Sequence, residues 1–278
     1  MLLLTSDFDP DDGLPIDEVG SWALEKHDRL RKYIAISRGA RQKFLPPIGQ
    51  GGATYIDLYC GYGRSIIRDT NNLIDGSPVA AFKAARDAKS EFLEIHIADS
   101  SEDRVAAARD RITKLGGDPF TYLGDAGDTV NKVASALNPH GLHFAFLDPY
   151  SLQALPFSVI ETLAKFKRMD ILIHVSAQDL QRNLDRYIAP GDQSLEGFMP
   201  GWRDAVQLDQ SQTAIRARLF DFWLDKIRRL GMMPARGIQL ISGERNQRLY
   251  WLVFISKSEF ANRLWNEIGT DPKQKTLV

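Results

Sequence analysis

Three carboxylates and a pair of glycines have the spacing most suggestive of chemistry. In "DLYCGYGRS", residues 57–65, Asp57 closes an apolar run, and Gly61 and Gly63 flank Tyr62. Such a stretch can open a nucleotide site or a phosphate loop, or serve only as a tight turn. A dinucleotide fingerprint needs a third glycine at position 66, which is Ile66, and no Gly-Lys-Ser/Thr follows, so a P-loop is excluded. Asp99 and Asp125 end two further apolar runs, "FLEIHIAD" (92–99) and "FTYLGD" (120–125). In an open α/β sheet a carboxylate at the end of the second strand can accept both ribose hydroxyls. One after the third strand, in "GDAGD", can read an adenine edge together with adjacent N–H groups. Each acid has a structural alternative as a helix cap. A fourth run ends in "LDPYS", where Asp148 and the backbone around Pro149 can accept hydrogen bonds from an amine while Tyr150 stacks on a planar acceptor. A structural turn accounts for that stretch equally well.

These residues need elements to hold them, and the chain alternates strand and helix patterns almost throughout. "TYIDLY", "FLEIHIAD", "FTYLGD", "HFAFLDP" (143–149) and "DILIHVS" (170–176) read as five strands of a parallel sheet. Between them, "SPVAAFKAARDAK" reads as a helix capped by Ser77 with Pro78 in its first turn. "SEDRVAAARDRITKLGG" begins with acids suited to a helix start and ends on Gly116. "DTVNKVASALN" and "PFSVIETLAKF" complete the set. Ahead of the first strand, "SWALEKHDRLRKYIAISR" is predicted to be a helix with Leu24, His27, Leu30 and Ile34 on one face. The last third differs: a long helix, "QTAIRARLFDFWLDKIRRLG", precedes "RGIQLIS", the turn "GERN" and "RLYWLVFIS", which pair as an antiparallel hairpin. The division expected is an N-terminal helical extension over 1–50 and a main domain over 51–278, with a loop or lid insertion near 189–210.

Five parallel strands closed by an antiparallel hairpin is the order expected of a Rossmann-like class I methyltransferase fold; a nicotinamide-binding fold ends in a parallel sixth strand instead. The expected cofactor is therefore S-adenosylmethionine, bound by Asp57, Tyr59, Gly61, Gly63, Asp99, Asp125 and Ala126. Asp57 either holds the loop or takes the donor's ammonium through water. The expected acceptor side is Asp148, Pro149 and Tyr150.

Composition bounds this reading. At 278 residues and 44% hydrophobic content the chain can bury a full core. A formal net charge of −1 gives no global field toward nucleic acid or anionic lipid, so any such binding depends on a local patch. Cys60 is the single cysteine, which rules out an internal disulfide and a thiolate cluster. The five histidines, at 27, 96, 140, 143 and 174, have no metal-ligand spacing, and His96 and His174 read as hydrogen-bonded core residues. No basic segment precedes Leu2 to Leu4 and no apolar run approaches a bilayer span, so the expectation is a cytoplasmic protein without a membrane segment.

Several segments keep two readings. "RSIIRDTNNLIDGSP" delays the helix after the glycine loop; Arg64, Arg68, Asp75 and Ser77 either fold over the pocket or belong to a plain hairpin. Arg216, Arg218, Arg228 and Arg229, interleaved with Asp221 and Asp225, read as a solvated face rather than a nucleic-acid groove. Phe220, Phe222 and Trp223 of the long helix and Phe198, Met199 and Trp202 of the loop are large apolar side chains; the three loop residues either pack beneath the lid or serve to dock a protein partner or close over substrate.

The combination of "YIDLYCGYGR", "IDGSPVAAF", "GDAGD", "FAFLDPYSLQALPFSVIETLA" and "YWLVFISKSEFANRLWNEI" resembles the three-Cys-motif partner proteins, from Trp22 through Ile268. These bacterial proteins look like class I methyltransferases and are encoded beside a protein with a three-cysteine motif. The family's first motif usually reads Asp-Leu-Phe-Ala-Gly-Pro-Gly, from which Tyr59, Cys60 and Tyr62 depart while Asp57 and both glycines remain. Ser151 stands where the family commonly has glycine after Asp-Pro-Tyr. The resemblance implies a three-cysteine partner that carries any iron–sulfur chemistry. The function expected is methyl transfer to an amine of nucleic acid, the alternative being a weakly catalytic or non-catalytic scaffold for that partner.

Overall fold

The computed structural model describes residues 8–70, 72–242 and 248–268. Leu2 to Leu4 and the expected "GERN" turn lie outside the described residues. The chain forms two compact units, Met1–Phe146 and Leu147–Val278.

The first unit begins with β1 (Asp17–Val19), α1 (Trp22–Ile36) and the short α2 (Arg38–Gln42). There follow β2 (Ala53–Asp57), β3 (Arg64–Ile67), β4 (Leu73–Asp75), α3 (Ser77–Asp87), β5 (Glu94–Asp99), α4 (Glu102–Lys114), β6 (Phe120–Leu123), α5 (Ala126–Ala136) and β7 (Leu142–Leu147). Strands run in the order β7-β2-β5-β6, each pair parallel. Every residue of β2 is buried, as a strand covered on both faces requires. α1 packs on α3 and buries Ala23, His27, Leu30, Tyr33 and Ile34. Leu24, expected on that face, is exposed, because the buried stripe runs through Ala23 and Tyr33 instead.

The delayed helix after the glycine loop is explained by a second, smaller sheet of order β1-β3-β4. β3 and β4 form the plain hairpin, and β1 adds in parallel to β3. The Arg64 guanidinium is engaged by acids of the N-terminal segment and the hairpin, meeting Asp9 at 3.0 Å, Asp11 at 3.1 Å and Asp75 at 3.3 Å. Gly76, one residue before the expected Ser77, is the N-cap of α3, with Pro in the first turn. A side chain at 76 would strike the Gly63 backbone at 2.8 Å, which is why the turn needs glycine there.

The second unit contains α6 (Phe157–Leu163), β8 (Met169–Ser176), α7 (Ala177–Ile188), α8 (Trp202–Ala205), α9 (Gln212–Arg229), β9 (Met233–Pro234), β10 (Gln239–Ser242), β11 (Arg248–Ser256) and α10 (Glu259–Ile268). β11 is antiparallel to β8, to β10 and to the two-residue β9, which the sequence pattern does not reveal. The expected hairpin is thus β10–β11. Phe198, Met199 and Trp202 are each 1% exposed, so they are core and not a docking surface. Phe198 stacks on Trp223 with ring centroids 5.2 Å apart. Arg228 pairs with Asp225 on the exposed face of α9, as expected of a solvated helix. Parallel strands flanked by helices, with an antiparallel hairpin toward the C-terminus, make this a Rossmann-like α/β fold with a mostly parallel central sheet.

Among the described residues, no helix is long and apolar enough to cross a membrane.

Candidate functional site

The parallel register brings the three expected acids to one edge of the first unit. Asp57 aligns with Ile97 on β5, Asp99 aligns with Leu123 on β6, and Asp125 follows two residues later. This is the carboxyl edge, where open α/β sheets bind ligands.

Asp57 is fully buried and holds the loop. Its Oδ1 accepts from the Tyr59 N–H at 3.2 Å and its Oδ2 from the Tyr55 hydroxyl at 3.1 Å. Asp99, 7% exposed, ties the loop to the next strand: Oδ2 accepts from the Gly61 N–H at 3.1 Å and Oδ1 from the Ser101 N–H at 3.1 Å. The residue capping α4 is Ser101, so Asp99 is not the helix cap. Each carboxylate oxygen of Asp99 retains a second lone pair for a ligand hydroxyl. Asp125 is the N-cap residue of α5 but makes no capping bond with its side chain, which is exposed; Ala126 beside it is buried.

The two glycines differ in what they need. Gly61 has φ +56° and a half-buried position, and among the described residues, its chain neighbours aside, the only atom within 4 Å of a Cβ built there is Asp17 Oδ2 at 3.3 Å. It leaves a cradle that a side chain would fill. Gly63, with φ +76°, is buried against Val79 and Ala108, whose atoms would lie 3.1 and 3.2 Å from its Cβ. Helix packing therefore requires glycine at 63 without reference to a ligand.

Two neighbours of this loop escaped the sequence reading. Asp17 on β1 pairs with Arg104 on α4 at 2.8 Å, and the Arg104 guanidinium lies 5.2 Å from the centre of the Tyr62 ring. Burial pushes the Asp17 carboxyl up, Arg104 pulls it back, and the Asp99 charge adds to the rise, leaving it above its ordinary value. Nothing in "GLPIDEVG" marks Asp17 as a site residue, since its relation to Gly61 exists only after the chain folds. Cys60 is 2% exposed, and burial, followed by the charges of Asp57 and Asp99, pushes its thiol well above the usual range.

The expected acceptor residues follow β7 and belong to the second unit. Asp148 is half-buried, Pro149 buried, and Tyr150 87% exposed. His174, on β8, places Nδ1 3.1 Å from Asp148 Oδ1 and packs edge-on against Tyr250 at 4.4 Å. His174 thus belongs beside Asp148, a role that a polar residue inside an apolar strand does not announce. The turn after Tyr150 is anchored by Asp179, whose Oδ2 accepts from the Leu152 N–H at 2.7 Å and whose Oδ1 accepts from the Tyr187 hydroxyl at 3.0 Å.

Among the described residues, no group of three His, Cys, Asp or Glu side chains is placed to hold a metal ion.

Comparison with solved structures shows which proteins this fold is similar to. A protein from Legionella pneumophila matches with a TM-score of 0.50 at 10% identity, covering 87% of this chain and 90% of that one. At that identity the likeness establishes the shared fold. The N-methyltransferase NodS from Bradyrhizobium japonicum, crystallised with S-adenosyl-L-homocysteine, matches with a TM-score of 0.45 at 12% identity, covering 85% of this chain and 87% of its own. An rRNA methylase from Streptococcus thermophilus matches with a TM-score of 0.41 at 11% identity, covering 87% and 99%. No protein-family model and no curated protein sequence matches the chain.

Proposed function

We propose that this protein is an S-adenosylmethionine-dependent methyltransferase acting on an amine of nucleic acid. The observation that carries this reading is the bond from the Gly61 N–H to Asp99 Oδ2, which couples an open glycine cradle to a strand-end carboxylate. The residues fit the donor: Gly61 gives the backbone room to approach it, and Asp99 has lone pairs for ribose hydroxyls. Asp125 and the N–H groups that open α5 suit an adenine edge. Asp57 and Tyr59 fix the loop. When bound, the donor supplies an electrophilic methyl group on a sulfonium. On the acceptor side, Asp148 and the Pro149 backbone accept hydrogen bonds from the amine, and the exposed Tyr150 ring stacks on its base. His174 lies beside this carboxylate, its Nδ1 3.1 Å from Asp148 Oδ1.

The same reading assigns a three-cysteine-motif protein as partner and a cytoplasmic location. A second reading, a weakly catalytic or non-catalytic scaffold for that partner, draws on the 87% exposure of Tyr150, since an aromatic standing in solvent serves a protein contact as well as a base. One paired experiment separates them. Calorimetric titration with S-adenosylhomocysteine is expected to give saturable binding, and labelled methyl from the donor is expected to reach total bacterial DNA or RNA. Binding without transfer, with or without the three-cysteine protein, favours the scaffold; absence of binding rejects the donor site.

A further inference from the structure

A carboxylate outside the α/β elements converges on the glycine cradle. Asp17 comes from β1, in the small sheet, and its Oδ2 is, chain neighbours aside, the one atom among the described residues within 4 Å of the space a Gly61 side chain would take. Its other oxygen, Oδ1, accepts from Arg104 at 2.8 Å. That bond fixes the carboxylate and leaves Oδ2 turned toward the cradle. On the opposite side of the same residue, the Gly61 N–H is held by Asp99 Oδ2. Two carboxylates and one guanidinium around a single glycine leave one net negative charge beside the open space at its Cα.

That charge is only partly screened. The Asp17 side chain is 32% exposed, and both its burial and the Asp99 charge act against its ionised form, while Arg104 alone favours it. A ligand cation placed at Oδ2 relieves this arrangement, forming a charge-assisted hydrogen bond in a partly desolvated setting. The N-terminal segment is held firmly enough to act this way. Arg111, on α4 and 5% exposed, donates to both Asp12 oxygens, to the Leu14 and Pro15 carbonyls, and to the Tyr62 carbonyl between the two glycines.

Resting on the donor reading above, we infer that Asp17 is a specificity residue that accepts a hydrogen bond from the α-ammonium of the donor's amino-acid tail. β1 is then part of the donor site and not merely an appendage to the sheet. Asp17 reads the tail, and Asp99 reads the nucleoside.

The test compares two nucleosides that differ only by that tail, S-adenosylhomocysteine and 5′-methylthioadenosine, by calorimetry on the full chain. Asp17→Asn is expected to weaken S-adenosylhomocysteine about tenfold or more while leaving 5′-methylthioadenosine within about twofold. Arg104→Gln, which removes the guanidinium charge but keeps the carboxylate and a side-chain donor for Oδ1, is expected to lose less tail-dependent affinity than Asp17→Asn. If Asp17→Asn melts early, the wild-type protein still decides the matter: S-adenosylhomocysteine lacking its amino group is expected to bind about tenfold more weakly than the parent. The inference is overturned if Asp17→Asn weakens both nucleosides equally or neither, if Arg104→Gln loses as much tail-dependent affinity as Asp17→Asn, or if the wild-type protein ignores the amino group. Failure of the wild-type protein to bind either nucleoside overturns the donor reading itself.

Discussion

The carboxylates of Asp57, Asp99 and Asp148 do different work although each follows a strand. Asp57 is sealed inside and occupied by Tyr55 and Tyr59, so its role is to shape the loop. Asp99 bonds to two backbone N–H groups yet can still accept from a ligand, and Asp148 lies beside His174 in the other unit. The contrast yields a prediction. Asp99→Ala is expected to weaken S-adenosylhomocysteine by about 1.5 to 3 kcal/mol, the cost of a lost charge-assisted hydrogen bond. Asp148→Ala is expected to abolish methyl transfer with donor affinity nearly intact. Calorimetry and a labelled-methyl assay on the two folded variants read the difference; loss of donor binding in Asp148→Ala would contradict the division of roles.

At the scale of elements, the segment between α7 and α8 shows how an expected lid is anchored. Leu195, Phe198 and Met199 are buried, and Gly201 adopts φ +79° to start α8. Arg203 stacks on Trp202 at 4.5 Å and donates to the carbonyls of Tyr187, Ala189 and Asp192, at 2.8, 2.9 and 2.6 Å. One guanidinium therefore ties the last turn of α7 to the loop that follows it. Arg203→Ala is expected to destabilise the protein by about 1 to 3 kcal/mol, measured by urea denaturation, because those carbonyls lose a charged donor. A change within about 0.5 kcal/mol would mean that water replaces Arg203 at no cost.

For the molecule as a whole, two buried histidines link stability to pH. Burial lowers His96 below its ordinary value against the opposing pull of Glu94, and burial likewise lowers His143 against its bond to the Asn138 carbonyl and the charge of Glu94. A base whose folded pKa is depressed stays neutral when folded and takes up a proton on unfolding. The stability it contributes is therefore complete above the unfolded value of 6.5 and is lost as pH falls through the folded one. The melting temperature is expected to fall as pH drops from about 7.5 to about 5.5, and to fall less in His143→Gln. Equal slopes in the two proteins would remove His143 from the account.

Local patterns in the sequence determined the fold class. Apolar runs bounded by acids became β2, β5, β6 and β7, and helical periodicity became α4, α5 and α9, because strand and helix periods are set by near neighbours along the chain. The positions of Asp57, Asp99 and Asp125 at one edge followed once the strands were taken as parallel. Only the tertiary structure decided what surrounds them. Arg104 meets Asp17 across 87 residues of sequence and Arg111 meets Asp12 across 99, and no periodicity encodes such encounters. The same holds for His174 beside Asp148, for the joining of β1 to β3, and for the burial of Trp202. Each of these depends on which surfaces the folded chain brings together, and a side chain gains its electrostatic or packing role only when those partners arrive.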